Sequence, residues 1–278
     1  MTARLLDIST ADYHADVGSG VPRLSASIAR ELVAKSPLHA WQIHPRLGGT
    51  PRAPTEKMDA GSLVHALLLG DGMDEFAVID VADFRTKAAQ ALRDAAIEQG
   101  KTVIKAADLA RTTLVVNRLR ERLTDIGIDL TGTSEMKVEW TETVAGETVL
   151  CRGMMDHVIG PQILDLKTTT SADLKSCARH VIEYGYDIQG AAYVSALGKL
   201  HPELRGRGEF VAVFLETEPP YAVTPVRFDG TLRELGQRKW ERAVKTWGQC
   251  LRTGIWPGYV GGITQIEAPT WALMDTVF

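Results

Sequence analysis

The sequence has few cysteines and lacks the marks of several protein classes. Its three cysteines, Cys151, Cys177 and Cys250, form no CxxC pair, so neither a disulfide framework nor a four-cysteine iron–sulfur cluster is expected. No apolar run approaches the ~20 residues of a membrane span, and the N-terminus has no signal-peptide core. A phosphate-cradling GxxxxGK loop is also missing, which disfavours ATP-driven chemistry. These absences predict a cytoplasmic protein without a membrane partner.

The composition is that of a globular protein that can bury a sizeable core. Hydrophobic residues make up 45% of the 278 residues, an ordinary fraction. The formal net charge of −4 neither requires nor excludes a nucleic-acid partner, because a basic channel can be local. No internal repeat or low-complexity tract divides the chain. We expect one domain over residues 1–278, with an N-terminal helical and loop extension over 1–60 packed on a core over 60–260.

Hydrophobic periodicity predicts an α/β fold, with a central mixed β-sheet flanked by helices. The predicted helices cover residues 24–35, 60–69, 84–99, 106–123, 171–182, 186–199 and 231–252. The predicted strands cover residues 76–80, 134–143, 149–158, 163–169, 209–216 and 222–228. Residues 45–58 are rich in Pro, Gly and Thr and are predicted to form a loop.

The most informative stretch is CRGMMDHVIGPQILDLKTT, at residues 151–169. It predicts a β-hairpin that turns at the Gly-Pro dipeptide of residues 160–161. Side chains alternate between the faces of a strand, so Asp165 and Lys167 point the same way. The turn places Asp156 roughly opposite Asp165, and opposed residues on a sheet face have Cβ atoms ~5 Å apart.

Two carboxylates held this close repel each other, and a divalent cation between them would explain the pair. Mg²⁺ and Mn²⁺ prefer carboxylate oxygens, and a lysine beside the metal can act on a water or a phosphate oxygen. The pattern therefore predicts metal-dependent phosphodiester hydrolysis. The alternative is a solvent-facing surface hairpin, which the apolar residues Ile163, Leu164 and Leu166 disfavour.

Glu135 on the preceding strand would supply a third carboxylate, although Glu139 and Glu142 compete with it on position. His65 lies in the apolar segment AGSLVHALLL, where a lone histidine is more often a core residue than a ligand. Imidazole is nevertheless a plausible ligand for Mn²⁺. A structural role for any of these side chains stays open from spacing alone.

Gln189 and Tyr193 are four residues apart on a predicted helix and share one face. They could bind a phosphate or stack on a base, or they could be ordinary packing residues. Basic side chains that could follow a phosphate backbone, or simply be solvated, form three clusters: Arg118, Arg120 and Arg122; Arg205 and Arg207; Arg238, Lys239, Arg242 and Lys245.

In their order along the chain, these motifs resemble the RecE-type exodeoxyribonuclease VIII group of the PD-(D/E)XK nuclease superfamily. The segments similar to that group are Ile8-Ser-x-x-x-Tyr13-His14, Leu24-Ser25-x-Ser27, Ser36-Pro37-x-His39, Gly61-Ser-Leu-Val-His65, Glu135 before Trp140, Met155-Asp156, Asp165-Leu-Lys167 and Tyr184-Gly-Tyr-x-x-Gln189-x-x-x-Tyr193. Met155 replaces the proline usual before the first aspartate. The C-terminal third matches only loosely.

The resemblance implies a PD-(D/E)XK core that binds one or two Mg²⁺ or Mn²⁺ ions. The implied ligands are His65, Glu135, Asp156, Asp165 and the carbonyl of Leu166. The implied catalytic residues are Asp156, Asp165, Lys167, Gln189 and Tyr193.

The implied activity is a 5′→3′ exonuclease that degrades linear double-stranded DNA and leaves 3′ single-stranded tails for recombination. Its partners would be DNA ends, a single-strand annealing protein and further copies of the chain, with a ring conceivable, in a phage- or prophage-bearing bacterium. Two alternatives stay open. One is another nuclease of the superfamily, such as an endonuclease, and the other is a non-catalytic module that binds DNA or the annealing protein.

Overall fold

The structure is a computed structural model that describes residues 3–50, 56–70, 72–128 and 130–274. The helices are α1 (Thr10–His14), α2 (Ala26–Ala34), α3 (Pro37–Ile43), α4 (Glu56–Leu69), α5 (Lys87–Glu98), α6 (Ala106–Asp125), α7 (Leu174–Glu183), α8 (Tyr186–Leu200), α9 (Gly230–Thr253) and α10 (Thr270–Met274). The strands are β1 (Ala3–Leu5), β2 (Phe76–Ile79), β3 (Thr102–Lys105), β4 (Thr133–Val144), β5 (Glu147–Ile159), β6 (Gln162–Thr169), β7 (Glu209–Glu216) and β8 (Val223–Arg227).

Six strands form one mixed sheet in the order β1-β4-β5-β6-β7-β8. Neighbouring strands are antiparallel except for β6 and β7, which are parallel. A parallel pair requires a crossover connection, and α7 and α8 lie between β6 and β7 in the chain. The predicted α/β class with a central mixed sheet flanked by helices is confirmed.

Strand β6 lies at the centre of this sheet and is covered on both faces. Leu164 and Leu166 pack in a cluster with residues of α4 and α6, whereas Ile163 packs in the cluster that holds the tryptophans of α9. A strand buried on both faces has an almost continuous apolar sequence. In β6 this apolar sequence is interrupted by Asp165, whose side chain is fully buried.

Two short strands of the structure, β1 and β3, are not among the predicted strands. β1 and β3 have three and four residues, too few to show a clear alternation. β2 corresponds to the predicted strand 76–80, and it pairs in parallel with β3 in a separate two-stranded sheet.

Two further boundaries shift from their predicted positions. In the predicted helix 24–35, Leu24 instead bridges to Cys151, and α2 begins after Ser25, whose hydroxyl accepts from the amide of Ile28. Of the predicted loop 45–58, residues 51–55 lie outside the described residues, and the last three positions already belong to α4. Throughout the described ranges, no helix has the length and apolar character needed to cross a bilayer.

Helices α8 and α9 approach each other so closely that only glycine fits at one point. A β-carbon at Gly236 would lie 2.2 Å from the backbone oxygen of Asp187. We expect Gly236→Ala to lower the free energy of unfolding by about 2 kcal/mol or more, because the helices must separate. At Gly230, on the same helix, a β-carbon would meet nothing within 4 Å. Gly230→Ala should therefore be neutral or stabilising by up to ~1 kcal/mol. Denaturant unfolding followed by tryptophan fluorescence measures both, and equal effects would contradict this packing.

Candidate active site

The predicted hairpin forms, and it opens where the two aspartates lie. Strands β5 and β6 pair through Ile159 with Gln162, Val158 with Ile163, and His157 with Leu164. Asp156 and Asp165 are next in this register, but the ladder stops before them. The amide of Leu166 donates instead to Asp156 Oδ2, at 2.8 Å.

Glu135 extends this pair into a row across three neighbouring strands. Ser134 pairs with His157 and Met136 pairs with Met155, so Glu135 lies beside Asp156. The backbone of Glu135 has φ of +47°, a conformation uncommon for residues other than glycine. A β-carbon at Gly72 would lie 3.7 Å from Glu135 Oε1, which places this carboxylate near the end of α4.

The two competing glutamates are engaged in other contacts. Glu139 accepts hydrogen bonds from Arg4 and Arg23, both at 2.9 Å. Glu142 accepts from the Trp140 indole at 2.8 Å and from Ser195 at 2.6 Å, and it forms an ion pair with Lys199. Both side chains therefore stabilise the fold, and Glu135 is the glutamate whose backbone lies beside Asp156 in the strand register.

Asp165 is held from its own strand and from α8. Lys167 forms an ion pair with Asp165 Oδ2, and the Gln189 amide donates to Oδ1 at 2.7 Å. The Lys167 ammonium also lies 4.5 Å from the centre of the Tyr186 ring. Tyr186 is not among the predicted site residues, although its three-residue spacing from Gln189 places both on one helix face.

The pKa values of the site residues are shifted by burial and by the charges of Asp156, Asp165 and Lys167. Burial raises the pKa of Asp165 to about 6, against the opposing charge of Lys167. Burial also raises the pKa of Asp156, where Lys167 again opposes it. Burial lowers the pKa of Lys167, but Asp165 and Asp156 outweigh this, so the pKa is raised above its usual value. Lys167 is therefore protonated at neutral pH and acts as a charged donor.

His65 reaches the site from α4. Its Nδ1 lies 3.6 Å from Asp156 Oδ2. Burial lowers the pKa of His65 to about 4, Lys167 acts in the same direction, and a hydrogen bond with the Leu166 backbone partly opposes both. The ring is therefore neutral at physiological pH, the form in which imidazole binds metals. Arg120 of the first basic cluster donates to the carbonyls of Leu67 and Leu68 at the end of α4.

Tyr193 is packed in the hydrophobic core next to the site and does not line the site. The residue is 6% exposed, and its hydroxyl donates to the Met154 carbonyl at 2.7 Å. Its ring packs edge-on against Phe210. The structure thus gives Tyr193 a contact that holds β5, two residues before Asp156, and leaves no ring face open for a base.

The donor set fits a hard divalent cation, although the ligands are not fully gathered. Among the described residues no group of three or more His, Cys, Asp or Glu side chains is arranged to hold a metal ion. The donors are nevertheless carboxylate oxygens and a neutral imidazole, which suit Mg²⁺ or Mn²⁺. Glu135, Asp156 and Asp165 together outnumber the single Lys167, so a cation would reduce their repulsion.

Several other predicted groups lie elsewhere. Arg118 and Arg122 pair with acids on their own helix, as does Arg238, and Lys239 pairs with Asp187. Arg205 and Arg227 line a cavity of about 720 Å³ between α8, α9 and the β7–β8 strands. None of the predicted metal or catalytic residues is among the described residues that line this cavity.

A protein-family model of a PDDEXK-like domain of unknown function matches residues 33–269. The chain belongs to this family. The PDDEXK-like domain is also similar to a crystal structure from Eubacterium rectale that is named only provisionally as an exonuclease. The TM-score is 0.62 and the identity 14%, over 98% of this chain and 100% of that one.

A second structure, SSO0001, is 14% identical over 70% of this chain and 87% of its own. Its TM-score of 0.30 is too low to bear on the fold. No curated protein matches the chain. The predicted PD-(D/E)XK superfamily and core are confirmed, whereas the RecE-type group stays a prediction.

The Tyr193 hydroxyl can be tested by removing it alone. We expect Tyr193→Phe to lower the free energy of unfolding by about 1 kcal/mol, because the Met154 carbonyl loses its donor and the ring stays. Tyr184, at the end of α7, is 41% exposed, so Tyr184→Phe serves as the control and should be neutral. Thermal unfolding of both variants measures the difference. An unchanged Tyr193→Phe protein would show that the hydroxyl contact does not stabilise β5.

Proposed function

We propose that this PDDEXK-like domain is a Mg²⁺- or Mn²⁺-dependent exodeoxyribonuclease that degrades linear double-stranded DNA. The observation that supports it most is the buried Asp165 with Lys167 beside it, at the point where the hairpin opens next to Asp156. A fully buried carboxylate inside an apolar strand, with a second carboxylate beside it, is costly to the fold, and a bound cation would offset that cost.

Each residue has a role in this chemistry. Asp156, Asp165 and the Leu166 carbonyl would hold the metal, with Glu135 and the neutral His65 as further ligands. A metal held there would supply a polarised water and would neutralise charge on the phosphate. Lys167, protonated, donates to the phosphate and holds the attacking water in line, which stabilises the developing negative charge. Gln189 fixes the orientation of Asp165, and Tyr193 fixes β5.

The finer properties come from the resemblance to the RecE-type group. They are attack from the 5′ ends, 3′ single-stranded tails, transfer of those tails to a single-strand annealing protein, assembly of several copies, and a phage or prophage origin in a bacterial cytoplasm. An endonuclease of the same superfamily would use the same centre, so substrate topology has to decide between them. The presence of Lys167 with both aspartates favours catalysis over a purely DNA-binding module.

The activity is tested with duplexes labelled at either end. We expect Mg²⁺-dependent loss of the 5′ label from linear DNA, no cleavage of closed circular DNA, and no activity in chelator. Asp165→Ala and Lys167→Ala should lower the rate by at least about 10³-fold, because each removes charge stabilisation at the phosphate. Cutting of circular DNA would favour the endonuclease. Undiminished activity in either variant would refute the assignment of the site.

Metal binding is tested apart from catalysis by thermal stability. We expect Mn²⁺ at about 100 times its Kd to stabilise the protein by about 2.7 kcal/mol, because it binds only the folded state. Asp156→Asn should remove this increment while keeping an acceptor for the Leu166 amide. Asp94, an exposed carboxylate on α5, provides the control variant Asp94→Asn, which should keep the full increment. Equal stabilisation of all three proteins would place the metal elsewhere.

A further inference from the structure

Lys137 is a partly buried cation one step along the sheet from the candidate active site. It lies on β4 two residues after Glu135 and pairs with Met154 of β5, which precedes Asp156 by two residues. Two residues of strand span ~6.6 Å. The Lys137–Met154 pair is therefore the neighbour of the position that Glu135 and Asp156 occupy.

The side chain of Lys137 points away from the core beneath α8 and α9. Val138 and Trp140 pack in that core, and alternate residues of a strand point to opposite faces. His14, at the end of α1, lies near Lys137. The pKa of His14 is lowered, first by burial and then by the charge of Arg152. The charge of Lys137 lowers this pKa further, whereas the charge of Glu75 raises it.

Glu139 and Arg152, which lie on the same face beyond Lys137, both have ion-pair partners. Glu139 pairs with Arg4 and Arg23, and Arg152 lies 3.4 Å from Asp16. Over the residues that the structure describes, Lys137 makes no ion pair within 4 Å. An ammonium that has lost part of its water without gaining a partner is unfavourable, so the position favours an anion.

We propose that Lys137 binds the backbone phosphate next to the scissile phosphate on the substrate strand. This inference rests on the proposed nuclease function and adds a subsite to it. The ligand class is a nucleic-acid phosphate, which an ammonium recognises by charge and without regard to base sequence. The distance along β4 from the carboxylate row to Lys137 lets one strand contact both points. His14 flanks the same position and adds a neutral hydrogen-bonding group.

The test compares Lys137→Met, which keeps the aliphatic stem and removes the charge, with Lys137→Arg. We expect Lys137→Met to raise KM for DNA about tenfold, since a charge-assisted hydrogen bond is lost, with kcat changed less than about twofold. Kd is measured without metal at several salt concentrations. For Lys137→Met, the slope of log Kd against log salt should be smaller than in the wild type by about 0.7 to 0.9, because one phosphate contact is lost. Lys137→Arg should restore KM and the slope.

The matched control is Lys245→Met, because Lys245 is exposed on α9, in the layer beneath the opposite face of the sheet. It should leave KM and the salt slope unchanged. If the wild type degrades DNA and Lys137→Met keeps its KM and slope, the subsite is refuted and the proposed function stands. If the wild type degrades no DNA but its binding depends on Lys137, the phosphate contact stands, whereas the nuclease function and the placement beside a scissile phosphate are refuted. A change in kcat alone would also refute the subsite.

Discussion

Asp165 is a carboxylate without solvent exposure in the middle of the strand that both layers of the fold cover. Removing a carboxylate from water is unfavourable unless charge and hydrogen bonds compensate it. Lys167 provides the charge from the same strand, and Gln189 provides the hydrogen bond from α8. The position of α8 against the sheet is therefore linked to this one side chain, and so is the parallel crossover that carries α8 there.

The rest of the site is arranged around the opening of the hairpin. His65 arrives on α4, whose last carbonyls are bound by Arg120 of α6. Glu135 arrives on β4, beside the aspartate of β5. Elements far apart in sequence thus meet at one end of β5 and β6. They converge where the β5–β6 ladder stops.

Much of this could be predicted from short-range patterns. The Gly-Pro turn and the period of two were enough to place Asp156 and Asp165 in register, because a hairpin fixes its own pairing. The choice among Glu135, Glu139 and Glu142 was not available from the sequence. It depends on partners such as Arg23 and Lys199, which lie more than 50 residues away in the chain. For the same reason the spacing of Gln189 and Tyr193 showed a shared face but could not show that only one of them touches an aspartate.

The hydrogen bond from the Leu166 amide gives the Asp156 carboxylate a structural role in addition to its proposed role as a metal ligand. It replaces the strand partner that the backbone lacks where the ladder ends, so any residue at this position has to keep an acceptor. Among the described contacts, the Lys167 side chain makes no hydrogen bond to the backbone. A descendant of this chain that lost its chemistry would therefore be free to change Lys167, provided that Asp165, whose buried charge Lys167 compensates, changed with it. It would still keep Asp or Asn at position 156, because the Leu166 amide needs an acceptor there. An inactive relative would thus retain one residue of the active site for a structural reason alone.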